Sequence, residues 1–200
     1  MKNITGSKIL SVIDGMKVNE SDRELFSVML HEVVFDNQRA IFDLVQLGHI
    51  RSATALLRVL FEAHVKALWM YSAASDKQIS EFKKDNIKST KRPGNKIWFS
   101  EIISELEDKN PNLNGKISEF KRNHWNGLNS LTHSGILQLT NSSGLIISRN
   151  RDDASYAQTI LEFSERFAIC SLGEVGKIVS SKDIIKCAIE LADQRRSTAI

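Results

Sequence analysis

Apolar residues recur along this chain at intervals of three and four, the spacing that gives a helix one apolar face, and this helical period dominates throughout. With only two prolines and ten glycines, helix boundaries must be read from caps and turns. Ser21-Asp22-Arg23-Glu24 has the form of a capping box, in which the Ser hydroxyl and the Glu carboxylate each satisfy a free backbone N–H. The first long helix is predicted to start there and to run through Leu25, Met29, Val33, Ile41, Leu44 and Val45 to Gly48, a residue suited to ending a helix. A second helix over about 50–72 follows at once, so the two are expected to form an antiparallel hairpin. Ser75-Asp76-Lys77-Gln78 is a second capping box, opening a shorter helix to about residue 87. Residues 88–96 read as a loop turning at Pro93-Gly94.

Further helices are predicted over about 98–108, stopped ahead of Pro111, and over 116–132. Residues 136–153 read mostly as loop, with one β-prone run at Leu145-Ile146-Ile147. Two last helices, about 154–179 and 182–196, complete the pattern, with Arg195 and Arg196 where a helix C-terminus favours cations. The fold expected is all-α: a compact bundle of about seven helices built on a long N-terminal antiparallel hairpin.

Composition narrows the class. Two hundred residues of 42% hydrophobic content suit one core, so 1–200 reads as a single helical domain. Cys170 and Cys187 fall in helical segments and read as small buried hydrophobes of a reducing compartment, neither disulfide partners nor metal ligands. No long apolar run opens the chain, and the apolar stretch 53–70 is broken by Arg58, Glu62, His64 and Lys66. A cytoplasmic protein without a membrane partner is expected. A formal charge of +3 is too mild to make nucleic-acid binding the default. The run Lys83, Lys84, Lys88, Lys91, Arg92, Lys96 is either a local phosphate-attracting patch or a solvated loop. Glycine-rich phosphate loops, a nucleophile elbow and metal-ligand spacings are missing from the sequence, so no cofactor or metal is expected.

Two helices carry candidate chemistry. On the 116–132 helix, Arg122, Asn126, Asn129 and His133 follow one another at four, three and four residues and share a narrow polar stripe. Ile117, Phe120, Leu128 and Leu131 take the opposite arc, and His124 among them reads as a core histidine. His133 closes the stripe beside Gly135, where an imidazole at a helix end suits acid–base work or anion binding; a solvated face ending in a glycine cap is the alternative. On the 50–72 helix, Arg51, Arg58, Glu62 and Trp69 share a stripe flanked by Lys66 and Val65. Arg58 and Glu62 can pair as i and i+4, and Trp69 argues that the stripe is partly buried. A buried arginine fork can hold a carboxylate, a phosphate or a polar group of another helix.

Two resemblances bear on these residues. Arg58-Val59-Leu60-Phe61-Glu62-Ala63-His64 is similar to the Arg-x4–6-His signature of HEPN ribonucleases, all-α proteins that are often toxins or defence factors, although six residues of helix set Arg58 and His64 about 240° apart. Leu57 to Ala63, Leu68-Trp69, and Trp125 through Thr132-His133-Ser134-Gly135 to Gln138 together resemble a family of uncharacterised bacterial helical proteins, over roughly 53–149. That likeness implies a compact helical fold and a joint site of Arg58, Glu62, His133 and Gln138, with no reaction attached. The reading reached is a stress or phage-defence type protein acting on or binding RNA or a nucleotide. Arg58 would hold a phosphate, Glu62 orient it, and His133 move a proton, with Asn129, Trp125, Gln138, Arg122 and Trp69 as ligand-binding residues. The rival is a non-catalytic interaction or regulatory module in which the same residues tie helices together. A homodimer is expected in either case, because the 53–70 helix is apolar over more than half its girth.

Overall fold

The computed structural model describes residues 2–19, 21–140 and 153–198. Helix accounts for 78% of the described residues, and no strand occurs among them. The helices are α1 (Ile4–Ile13), α2 (Asp22–Gln46), α3 (Ile50–Ser72), α4 (Asp76–Phe82), α5 (Phe99–Lys109), α6 (Lys116–Thr132), α7 (Ile136–Thr140), α8 (Asp153–Ile178) and α9 (Lys182–Thr198), with a 3-10 turn at Pro111–Leu113. No helix among the described residues is long and apolar enough to cross a membrane.

The centre of the fold is α3, which packs against α2, α5, α6 and α8. Its side chains explain why: Ala53, Leu57, Leu60, Phe61, Ala63, Val65, Ala67, Trp69 and Met70 are all buried. A helix apolar on so many sides must be covered on as many. The cover comes from this chain's own helices, so the wide apolar arc that suggested a homodimer is accounted for without a second copy. The hairpin α2–α3 forms as expected: Gly48 takes the left-handed conformation at φ +77°, and the Ser27 hydroxyl donates to the Ala67 carbonyl at 2.9 Å.

The second capping box forms in full where the sequence puts it, while at Ser21 only the hydroxyl half forms, the Glu24 carboxylate accepting from the Ser21 hydroxyl at 2.9 Å and not from its N–H. Ser21 Oγ accepts from the Glu24 N–H at 3.2 Å, and Ser75 and Gln78 satisfy each other's backbone N–H groups at the start of α4. Three differences from the expected pattern have local causes. The helix α1 precedes the first expected one, and Asn3 caps it by accepting from the Gly6 N–H at 2.8 Å. A single turn-forming segment cuts α4 short at Phe82, and Asp85 follows in the left-handed region. Residues 136–140, expected as loop, wind into α7, while the β-prone run 145–147 lies outside the described residues.

The basic loop between α4 and α5 uses most of its cations on its own carbonyls and on the neighbouring helices α2 and α5. Lys83 pairs with Asp22 at 2.6 Å, Lys91 donates to Ser104, and Lys88 and Lys96 donate to loop carbonyls. Arg92 lies over the Trp98 ring at 3.5 Å and forks onto Glu101, which also accepts from Ser89 and the Trp98 N–H. These donors, the Arg92 side chain foremost, hold the Glu101 carboxyl down to about 2.

Where α2, α3 and α8 meet, two histidines are buried side by side. The His31 and His64 rings are 5.9 Å apart, and His64 Nδ1 bonds to Ser171 Oγ at 2.8 Å. Both His31 ring nitrogens are buried without a partner. Burial lowers His64 to about 4 and, together with the nearby His64, pushes His31 well below the usual range. Both are therefore neutral when folded and bind protons more readily when unfolded. Their contribution to stability is complete above about pH 6.5 and is predicted to be lost toward pH 4, by on the order of 1 kcal/mol per pH unit for each histidine. Urea unfolding across that range checks the slope, and His31→Leu should flatten it; an unchanged slope in the variant would dissociate the histidine pair from acid sensitivity.

Candidate functional site

One stripe of α3 escapes the apolar cover, and on it Arg58, Glu62 and Lys66 follow at i, i+4 and i+8. Glu62 accepts from Arg58 Nε at 2.7 Å, and Lys66 Nζ lies 3.6 Å from its other oxygen. The Arg58 and Glu62 side chains are each 22% exposed, so this pair is screened less than an open surface pair.

The second half of the site arrives on α6. Thr132 Oγ1 donates to its own helix at Leu128 and reaches the Ala55 carbonyl of α3 at 3.4 Å, fixing the end of α6 against α3. The chain then turns sharply. His133 leaves helical geometry at φ −110°, Ser134 is left-handed at φ +54°, and the Gly135 N–H donates to the Ser130 carbonyl at 2.8 Å. This turn aims the His133 ring at α3, where Arg58 Nη1 and His133 Nε2 are hydrogen-bonded. A guanidinium can only donate, so Nε2 accepts and the imidazole proton sits on Nδ1. Trp125, two turns earlier on α6, has its ring centroid 4.7 Å from the Arg58 guanidinium carbon.

Beside this cluster opens a cleft of about 300 Å³. Leu30 and Val33 of α2 with Val59 and Ala63 of α3 make an apolar wall, while Arg58, Glu62, Lys66 and His133 supply the polar one. An apolar wall beside a few convergent polar groups is the usual make-up of a small-molecule site. Arg58 Nε and Nη1 are bound, Lys66 is partly exposed, and His133 is exposed, so the cleft wall holds two cations and an imidazole around the one Glu62 carboxylate that pairs with both cations. Among the described residues no group of three or more His, Cys, Asp or Glu could hold a metal ion.

The other residues singled out by the sequence fall in three places. Asn129 lies on the same face of α6, its Oδ1 buried and without a partner. Trp125 and Arg122 line a separate cleft between α5 and α6, and Gln138 is half-buried on α7, outside the first cleft. Trp69 is in the core: fully buried, it donates its indole N–H to Glu105 at 2.9 Å, and the Glu105 carboxylate also accepts from Gln78 and Thr90. Sharing a stripe with Arg58 does not bring Trp69 into the cleft, because it lies about 16 Å further along the helix. His64 is likewise internal, so the Arg58 and His64 of the HEPN-like spacing point to different parts of the molecule. His124, expected in the core, is exposed and leans on Phe120 at 4.4 Å between ring centroids. The sequence reading missed the α2 wall, since Val33 looked like an ordinary core position of the hairpin.

A family model described as a family of unknown function, DUF6988, matches residues 31–193. The chain belongs to DUF6988. No curated protein and no solved structure matches it. The DUF6988 match runs from within α2 to within α9, so it takes in every residue of the Arg58–Glu62–His133 cluster and, apart from Leu30, the lining of both clefts, and leaves out α1.

The turn after α6 depends on Gly135. A Cβ added there would lie 2.7 Å from Ser130 Cα, so the backbone would have to move. Gly135→Ala is predicted to cost roughly 1–3 kcal/mol and to break the Arg58–His133 contact. Thermal unfolding measures the first effect and the His133 ring resonances the second; wild-type values for both would remove the turn's role.

Proposed function

We propose that the cluster of Arg58, Glu62 and His133 binds the phosphate of RNA or a nucleotide, with His133 placed to move a proton at a phosphate-ester oxygen. The observation that carries this reading is the meeting of Arg58 and His133, 75 residues apart in sequence, at the mouth of a cleft that also holds Lys66. Glu62 orients the arginine by taking Nε, which leaves the guanidinium edge for an anion. The anion takes the Nη2 edge that remains, and His133, by holding Nη1, keeps that edge aimed at it with the imidazole beside the phosphate oxygens. Trp125 supplies an aromatic face beside the cationic group.

A second reading rests on one observation. Arg58 is already engaged by Glu62, His133 and Trp125, as a strut between α3 and α6 would be. The two readings differ in what His133→Ala does. In a ligand site, His133 is exposed and dispensable for folding, so the variant keeps its melting temperature and binds a nucleoside monophosphate about tenfold more weakly or worse. Arg58→Lys, which keeps the charge and loses the fork, should weaken binding comparably. Calorimetric titration of the nucleotide, with thermal unfolding in parallel, checks both variants. Undiminished affinity, or a loss explained by unfolding, would leave the strut as the role of the cluster.

A further inference from the structure

We infer that the cleft along the seam of α8 and α9 is a ligand site separate from the Arg58 cluster, and that it takes a small monocarboxylic acid with an apolar body. The inference is independent of the phosphate reading of Arg58 and His133. The cleft measures about 440 Å³, against about 300 Å³ for the one beside Arg58, and falls in the size range of small-molecule sites.

The side chains along the seam explain where it opens. Near the turn that joins the two helices, glycines let α9 lie close: a Cβ at Gly176 would be 2.8 Å from Ile185 Cγ1, and one at Gly173 would be 3.8 Å from Ala188 Cβ. Further from the turn, Glu162, Glu165 and Ile169 follow one another on α8 at three and four residues and face Ala192 and Arg195 of α9 across the cleft. Ile169 is buried and Ala192 half-buried, and with the Cys170 side chain they form the apolar part of the lining.

Most of the charge around this floor is already matched. Arg195, whose side chain is 19% exposed, donates to the Glu162 carbonyl at 2.8 Å and to the Glu165 carboxylate at 3.2 Å. The Glu162 carboxylate lies 3.6 Å from Arg195 and accepts from Gln158 at 3.1 Å, and Arg196 lies 3.4 Å from Asp193. Arg166 is the exception: it is exposed at the cleft and, among the described residues, takes part in no ion pair, which leaves a whole guanidinium fork uncommitted. Burial pushes the Glu165 carboxyl above its usual range although Arg195 pulls the other way, as expected of a wall shielded from water. A perturbed carboxyl beside an apolar floor and convergent polar groups is the pattern of a binding site.

These features select the ligand. The floor suits an apolar body, and one free guanidinium suits a planar carboxylate held by two parallel N–H groups. Glu162 and Glu165 repel further negative charge, so a monoanion is favoured over a phosphate monoester, which carries roughly −1.5 to −2 at pH 7. A cationic ligand would find both carboxylates taken by Arg195.

The test uses the whole chain in calorimetric titrations with decanoate and with decylammonium, a cation of the same length, and thermal unfolding of each variant. The wild type should bind decanoate and not decylammonium. Arg166→Ala should bind decanoate about tenfold more weakly or worse, and Arg166→Lys should recover part of the loss. Cys170→Phe, which puts a ring into the cleft from an exposed position, should block decanoate while the protein stays folded. Bound decanoate should also slow alkylation of Cys170 by iodoacetamide and leave Cys187, outside the cleft, at its own rate. The site is overturned if the wild type binds no decanoate, if folded Arg166→Ala binds it as tightly as the wild type, or if decanoate protects both thiols alike. None of these results bears on nucleotide binding by the Arg58 cluster, so the two proposals stand or fall separately.

Discussion

The structure depends on the burial of α3. A helix with this many apolar side chains cannot leave an apolar flank in water, and four helices of the same chain close over it. The charged groups of α3 lie on a narrow stripe, Arg58, Glu62 and Lys66, that stays partly open beside the exposed Val59, at positions where charge would be costly to enclose. The site is thus placed by exclusion: the polar groups are gathered where the packing of α2 and α6 leaves a seam.

That origin explains the site's mixed character. Its apolar wall is the outer edge of the hairpin, Leu30 and Val33 against Val59 and Ala63, and its polar wall is the leftover stripe of α3 completed by the end of α6. Arg58 has to be hydrogen-bonded because it is mostly enclosed, and Glu62 and His133 do this from opposite sides. On the phosphate reading proposed above, the same bonds that make the charge tolerable would also preset the guanidinium for an incoming anion and leave little ordering to be done on binding. A strut and a binding site are built from the same contacts here, which is why the ring of His133, exposed and at a turn, is the part that tells them apart.

The helical fold was legible in the sequence because its signals are local. Capping residues such as Ser21 and Ser75 act on their own helix ends, and a 3.6-residue period needs no partner to be seen. The stripe of Arg58 and Glu62, and the stripe ending at His133, were legible for the same reason. Their meeting was not, since it depends on how α6 crosses α3 and on the turn at Ser134 and Gly135. Periodicity also assigns a face without saying what covers it. Trp69 shares a stripe with Arg58 and is buried beneath α5, while His124 shares an arc with Phe120 and is exposed because α6 is covered on one side only. The helix α1 and the wall from α2 belong to the same class: short or ordinary in pattern, and given their roles by tertiary contact.

The central claim is that the Arg58–His133 bond is an anion site in its resting state. Nitrogen-15 NMR of the histidine side chains measures it directly. The expected result is a neutral His133 with its proton on Nδ1 in the free protein, and a shift of its Nε2 resonance on adding a nucleoside monophosphate, while His124 on the same helix stays where it was. A His133 signal indifferent to the nucleotide, or one that moves no more than that of His124, would contradict it.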